Sequence, residues 1–160
     1  MRRVLLSFVL ASLGCDPSFG AERDTVDAAI ALDPDAALVR ADGGLAPVNF
    51  RREIRPILDR GDGPPAGCKR CHYPTSSAPQ GYEIGGLDLS TLGALQKGGV
   101  SSGTRIVVAG DPSASILVQK LEGTYSRGAR MPKDLTPLST VEIALIRRWI
   151  AEGAAGADDE

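Results

Sequence analysis

Five adjacent residues constrain this chain more than any other feature: Cys68-Lys69-Arg70-Cys71-His72. The pattern is Cys-x-x-Cys-His, the spacing with which a chain attaches haem covalently. Each residue type has a chemical task. The two thiols add across the porphyrin vinyl groups to give thioethers, and the two-residue gap lets a helical turn set both sulfurs along one edge of the ring. The imidazole beside the second cysteine then ligates iron.

Other uses of paired cysteines meet obstacles elsewhere in the chain. A closed structural zinc site needs four ligands. The chain has three cysteines and one histidine, and Cys15 falls in a leader-like segment. A thioredoxin-like dithiol opens a long apolar helix within a βαβ unit, whereas Cys71-His72 is followed by Tyr73-Pro74-Thr75-Ser76-Ser77-Ala78-Pro79. Prolines so placed cannot continue a helix. The dithiol and a plain structural disulfide stay as minor alternatives to haem.

The N-terminus reads as an export signal. Met1-Arg2-Arg3 is a short basic start, and Val4–Leu13 is an apolar run too short to span a bilayer. Export agrees with the motif, because bacteria attach c-type haem outside the cytoplasm. Leu10-Ala11-Ser12-Leu13-Gly14-Cys15 resembles a bacterial lipobox, with leucine displaced by one position, and makes Cys15 a candidate lipid anchor. Cleavage near Ala21, which would discard Cys15, is the alternative.

Charge then divides the chain. Residues 16–46 carry seven acids against Arg23 and Arg40, and they bury too little to order themselves. Residues 47–160 carry fourteen Lys and Arg against thirteen Asp and Glu, a near-neutral balance with nothing to attract nucleic acid. The expected organisation is a leader over 1–15, a disordered Asp/Ala-rich linker over 16–46, one domain over 47–155 and an acidic tail over 156–160. The whole chain has only three Phe, three Tyr and one Trp. A haem would relieve that thin aromatic supply.

Within the domain, Val48–Leu58 reads as a first helix, with Asn49 as N-cap and Pro56 kinking it or ending its first segment. Phe50, Ile54, Ile57 and Leu58 fall on one face. Gly61–Gly67 is a loop into the motif. Gly85–Leu89 reads as extended, Ser90–Gln96 as a short helix closed by Gly98-Gly99, and Ile106–Gly110 as a short strand or extended segment. Asp111-Pro112 supplies an N-cap and a first-turn proline for a helix over Ser113–Leu121, with Ile116, Leu117, Lys120 and Leu121 on one face. The final helix opens on a capping box, Ser139 with Glu142, stapled by Leu138 and Ile143. Its apolar face runs through Val141, Leu145 and Trp149, widened by Ile146 and Ile150, and Gly153 closes it. Phe50 and Trp149 are the candidates for a crossing of the first and last helices.

Elimination supplies a second iron ligand. His72 is the single histidine, and Met131 is the single methionine outside the leader. Met131 lies in the irregular stretch Ser126-Arg127-Gly128-Ala129-Arg130-Met131-Pro132, where a thioether can reach iron, and Pro132 holds it to an extended backbone. Lys133 or an open position are the other choices. Met/His ligation raises the reduction potential and leaves no vacant site, which favours electron transfer over oxygen chemistry. Lys69, Arg127, Arg130 and Lys133 are candidates to meet haem propionates or a redox partner.

Taken in order, these residues resemble the class I c-type cytochromes, and most nearly the planctomycete-type cytochrome c domains. The resemblance runs from Phe50 to Ala155. It rests on Phe50 with Ile54–Leu58, Cys68, Cys71 and His72, Gly86–Leu89, Gly98-Gly99, Gly110-Asp111-Pro112, Ser115–Leu117, Met131-Pro132, and Trp149-Ile150 with Gly153-Ala154. It implies a mainly α fold with crossing terminal helices around one covalent haem c, thioethers from Cys68 and Cys71, and axial ligation by His72 and Met131. The loop Gly61–Gly67 is longer than usual for such domains. The expected function is an exported mono-haem electron carrier, not an enzyme. It would work at the periplasmic side of a membrane or the cell surface with protein redox partners. A haem-based ligand sensor or assembly subunit is the alternative, and a thiol–disulfide oxidoreductase a more distant one.

Overall fold

The structure, a computed structural model, describes residues 46–156. The leader with Cys15, residues 16–45 of the linker and residues 157–160 of the acidic tail lie outside the described residues. The described part is helical and contains no strand, in agreement with a mainly α cytochrome fold. None of its helices is long and apolar enough to cross a membrane.

The first helical segment is interrupted where its proline demands it. Asn49 caps it, its Oδ1 accepting from the Arg52 N–H at 2.8 Å. A π-helical turn, Phe50–Ile54, then leads into α1 (Arg55–Leu58). Pro56 has no N–H to donate, and its ring presses on the carbonyl four residues earlier. The wide turn accommodates this, with the Arg55 N–H reaching back to the Phe50 carbonyl. Phe50, Ile54, Ile57 and Leu58 are all buried, as the one-face pattern requires.

The last helix, α6 (Thr140–Ala151), has the expected capping box, with Ser139 and Glu142 each satisfying the other's backbone N–H. Leu138 and Ile143 are both buried. At the other end, the Ala154 N–H bonds to the Trp149 carbonyl and the Gly153 N–H to that of Ile150, a Schellman closure with Gly153 at φ +104°. The apolar face differs from the one read along Val141, Leu145 and Trp149. Val141 is 76% exposed, and the buried set is Ile143, Ile146, Trp149 and Ile150. The four-residue row drifts across the helix surface, so its first member lies off the core.

The two ends of the domain meet through aromatic rings. Phe50 and Trp149 lie 5.4 Å apart between centroids, tilted by 39°. Trp149 Nε1 donates to the Ala155 carbonyl at 2.9 Å, and the Val48 N–H donates to Glu152 at 2.6 Å. Aromatic pairs of this kind add about 0.5–1.5 kcal/mol beyond the area they bury.

Between these ends lie four short helices: α2 (Lys69–His72), α3 (Gln80–Glu83), α4 (Leu92–Lys97) and α5 (Ile116–Glu122). The apolar run from Ile106 forms no strand. Gly103–Ile106 is a 3-10 helix, Val107 has extended backbone angles, and the chain turns again at Ala109-Gly110. Asp111 caps only a turn, accepting from the Ser113 and Ala114 N–H groups at 3.0 and 2.9 Å. The helix starts later than expected, at Ile116, with Ser115 at its N-cap position. The fully buried Ser115 hydroxyl is occupied elsewhere, accepting from the Val108 N–H and donating to the Asp111 carbonyl. That bridge needs the chain to turn before it coils.

Candidate functional site

The motif lies on a single helical turn. The His72 N–H bonds to the Cys68 carbonyl at 3.0 Å, and the Tyr73 N–H to that of Lys69 at 3.2 Å. Tyr73 is then extended and ends α2, so the turn opens no long apolar helix of the dithiol kind. Cys68 and Cys71 are free, half-buried thiols. Burial pushes the Cys68 thiol up to about 12; the Arg60 guanidinium works against that rise and the neighbouring Cys71 adds to it.

The loop before the motif is pinned at both ends. The Gly67 N–H bonds to the Gly61 carbonyl, Cys68 to that of Leu58, and Lys69 to that of Arg60. A Cβ on Gly67 would lie 2.5 Å from Arg60 Cβ, so only glycine passes there. Arg60 Nη1 donates to Glu142 Oε1, which ties this loop to the first turn of α6. The Arg60 Nε and Nη2 atoms are buried with no hydrogen-bond partner among the described residues. Burial raises the Glu142 carboxyl, but hydrogen bonds from Arg60 and Ser139 outweigh it and hold the group below its usual range. Tyr73 donates its phenolic hydrogen to Asp59, which fixes the residue after His72 to the end of α1.

His72 is oriented by its neighbours. Its Nδ1 lies 3.2 Å from the Leu87 carbonyl. A carbonyl only accepts, so Nδ1 carries the proton and Nε2 keeps its lone pair. Burial lowers the imidazole's pKa, opposed by the Leu87 hydrogen bond, and a neutral imidazole is the metal-binding form. The Leu89 N–H in turn bonds to the His72 carbonyl at 3.1 Å. Gly81 presses on the ring: a Cβ there would meet His72 Cε1 at 2.5 Å and Nδ1 at 2.6 Å. Nothing in the sequence marks Gly81 or the Leu87 carbonyl for these roles. A backbone acceptor and a missing side chain leave no pattern to read.

Cys68, Cys71, His72 and Met131 all line one cavity of about 500 Å³. Its walls are mainly apolar, with Leu87, Leu89 and Ile106 from the middle of the chain. The face predicted for the fifth helix, Ile116, Leu117, Lys120 and Leu121, lines the cavity as a set. Of the four cations proposed to meet propionates or a partner, Arg127 and Lys133 line the cavity, whereas Lys69 and Arg130 do not; Arg70 and Lys120 take places there instead. Arg130 turns back to the Leu121 carbonyl, donating from Nε at 2.8 Å. Among the described residues, no acidic side chain lines the cavity. No cluster of three or more His, Cys, Asp or Glu side chains among the described residues could hold a metal ion by itself.

These residues fit a haem. The cavity volume lies within the roughly 300–1,000 Å³ of cofactor and ligand pockets, and its lining is apolar enough for a porphyrin. The two thiols share its wall with an imidazole whose free nitrogen is unprotonated. The glycine against that imidazole leaves room for the ring in this orientation and for no further side chain.

Residues 68–134 match the model of the family described as planctomycete cytochrome C. The segment therefore carries a cytochrome c-like domain, and it spans both the motif and Met131. It stops short of Phe50 and Trp149, which the sequence resemblance also covers. Neither the comparison with curated proteins nor the comparison with solved structures gave a match.

Proposed function

We propose that this protein is an exported mono-haem c-type cytochrome that carries single electrons between protein partners at the periplasmic side of a membrane or the cell surface. One observation carries the reading: the two thiols, the one histidine and the one described methionine line the same apolar cavity. When bound, the haem supplies a one-electron iron couple. Cys68 and Cys71 would hold it through thioethers, and His72 through Nε2. The Leu87 carbonyl keeps the His72 proton on Nδ1 and fixes the ring plane, as partners of ligating histidines do. Met131 would supply a thioether, a soft donor that raises the potential. The apolar walls exclude water and, by lowering the local dielectric, further oppose the more highly charged state. Cys15 would serve as the lipid anchor.

The test is direct. Expressed with haem-attachment machinery, the full chain should keep one haem through a denaturing gel and give a pyridine haemochrome spectrum of two thioethers. A colourless product defeats the proposal. Met131→Ala should abolish the ferric sulfur-to-iron charge-transfer band; a band that survives removes Met131 from the ligand set. Rapid carbon monoxide binding by the ferrous wild type would replace the carrier with a ligand sensor. Cys15→Ala should move the protein from membrane to soluble fractions if Cys15 is the anchor.

A further inference from the structure

The loop that presents Met131 has little apolar burial of its own. Residues 126–130 are all exposed, and Met131 is half-buried. Its shape comes from hydrogen bonds, and most of these converge on Lys120. The Lys120 carbonyl accepts the Met131 N–H at 2.9 Å. Its Nζ donates to the Arg127 carbonyl at 2.5 Å and to the Ala129 carbonyl at 3.1 Å. The same Nζ stands 5.1 Å from the centre of the Tyr125 ring, within reach of a cation–π attraction. Gly128, between the two accepting carbonyls, has φ +66°. A Cβ on it would come within 3.1 Å of Nζ, so the backbone wraps the ammonium closely. The one other side-chain tie from residues 126–131 back to α5 is Arg130 Nε to the Leu121 carbonyl.

We infer that Lys120 is the positioning residue for Met131: its carbonyl and its ammonium together hold residues 125–131 in the shape that brings Met131 to the cavity wall. A lysine on an otherwise apolar helix face has a physical reason here. Two backbone carbonyls with no helix or sheet partner need donors, and a charged donor binds them more strongly than a neutral one. This inference rests on the reading of Met131 as an iron ligand.

Four variants of the full-chain holoprotein test it: Lys120→Met, Lys120→Gln, Lys120→Arg and Met131→Ala. Lys120→Met keeps length and apolar contact but removes both charge-assisted bonds. With helicity retained, it should speed amide hydrogen exchange at Met131 and ferrous carbon monoxide association by about tenfold or more, the scale of a lost charged hydrogen bond, and weaken the charge-transfer band. Lys120→Gln should fall between, and serves if Lys120→Met does not fold. Lys120→Arg, which keeps charge and donors, should restore most of the band. If the Met and Gln variants lower only the denaturation midpoint, with exchange and carbon monoxide association as in wild type, Lys120 is merely structural and the inference fails. The ligand reading fails separately, through a band that survives Met131→Ala. Should Met131 prove not to ligate iron, amide exchange at Met131, whose N–H bonds to the Lys120 carbonyl, still reports whether Lys120 holds the loop.

Discussion

The two walls of the cavity are built in different ways. The motif wall is fixed by the main chain: Cys68, Lys69, His72, Leu87 and Leu89 all hold their places through backbone hydrogen bonds, and glycines at 67 and 81 let chain segments touch. The methionine loop is exposed, and its main ties back to α5 are the Lys120 and Arg130 side chains and one backbone bond from Met131. The contrast suits the chemistry proposed for each. Covalent attachment and imidazole ligation need fixed geometry, because thiols and imidazole must meet three points of one rigid ring. A thioether on a flexible side chain tolerates a softer support. The closer backbone support stands where several bonds would have to form together.

Substitutions can break or sharpen that contrast. The largest effect is expected from Trp149→Ala, which empties the frame shared by both walls and should cost about 3–5 kcal/mol in denaturant unfolding. The loss should appear globally; loss of the Met131 signature alone, with stability unchanged, would mean that the walls do not share this frame. Gly81→Ala comes next. Its Cβ would overlap the His72 ring, and overpacking of this kind costs about 1–3 kcal/mol. Holoprotein yield should fall and the haem spectrum should change; wild-type yield and spectrum would show a motif wall softer than drawn.

Glu142→Gln tests the tie between the motif loop and α6. Both partners' side chains are only 22% exposed, so a loss of roughly 1.5 kcal/mol at neutral pH is expected. The Glu142 pKa is lower folded than unfolded, so its contribution is complete above the usual carboxylate range and is lost as pH falls through the folded value. The stability gap between wild type and variant should therefore shrink below about pH 4.5. A gap that widens on acidification would show that Arg60 is not stabilising this carboxylate. The smallest effect belongs to the methionine loop. Gly128→Ala meets a left-handed backbone and the movable end of Lys120, for about 1 kcal/mol. A loss equal to that of Gly81→Ala would erase the contrast.

The legible parts of this protein were those set by neighbours in sequence. Capping at Asn49 and the Ser139–Glu142 box depend on residues three apart, and both formed. The Phe50–Trp149 pairing was legible as two strong apolar faces at the ends of one domain. The failures share a different cause. Asp111 and Pro112 carry a helix-start signal, yet α5 waits until Ile116, because Ser115 bridges back to Val108 and Asp111. Val141 fits a helical repeat, yet lies exposed, because the core fixes which arc of α6 it accepts.

By itself the sequence determined the chemistry: which sulfurs, which imidazole and which thioether this chain can offer, and the helices that would carry them. Those follow from residue identity and from contacts within a turn or two. Tertiary structure decided how the chemistry is held. The Leu87 carbonyl on His72, the gap at Gly81, the Arg60–Glu142 tie and the grip of Lys120 on the Met131 loop join segments by backbone groups and by distances in space. Every residue has a carbonyl, so nothing in the order of side chains marks the one that will be used.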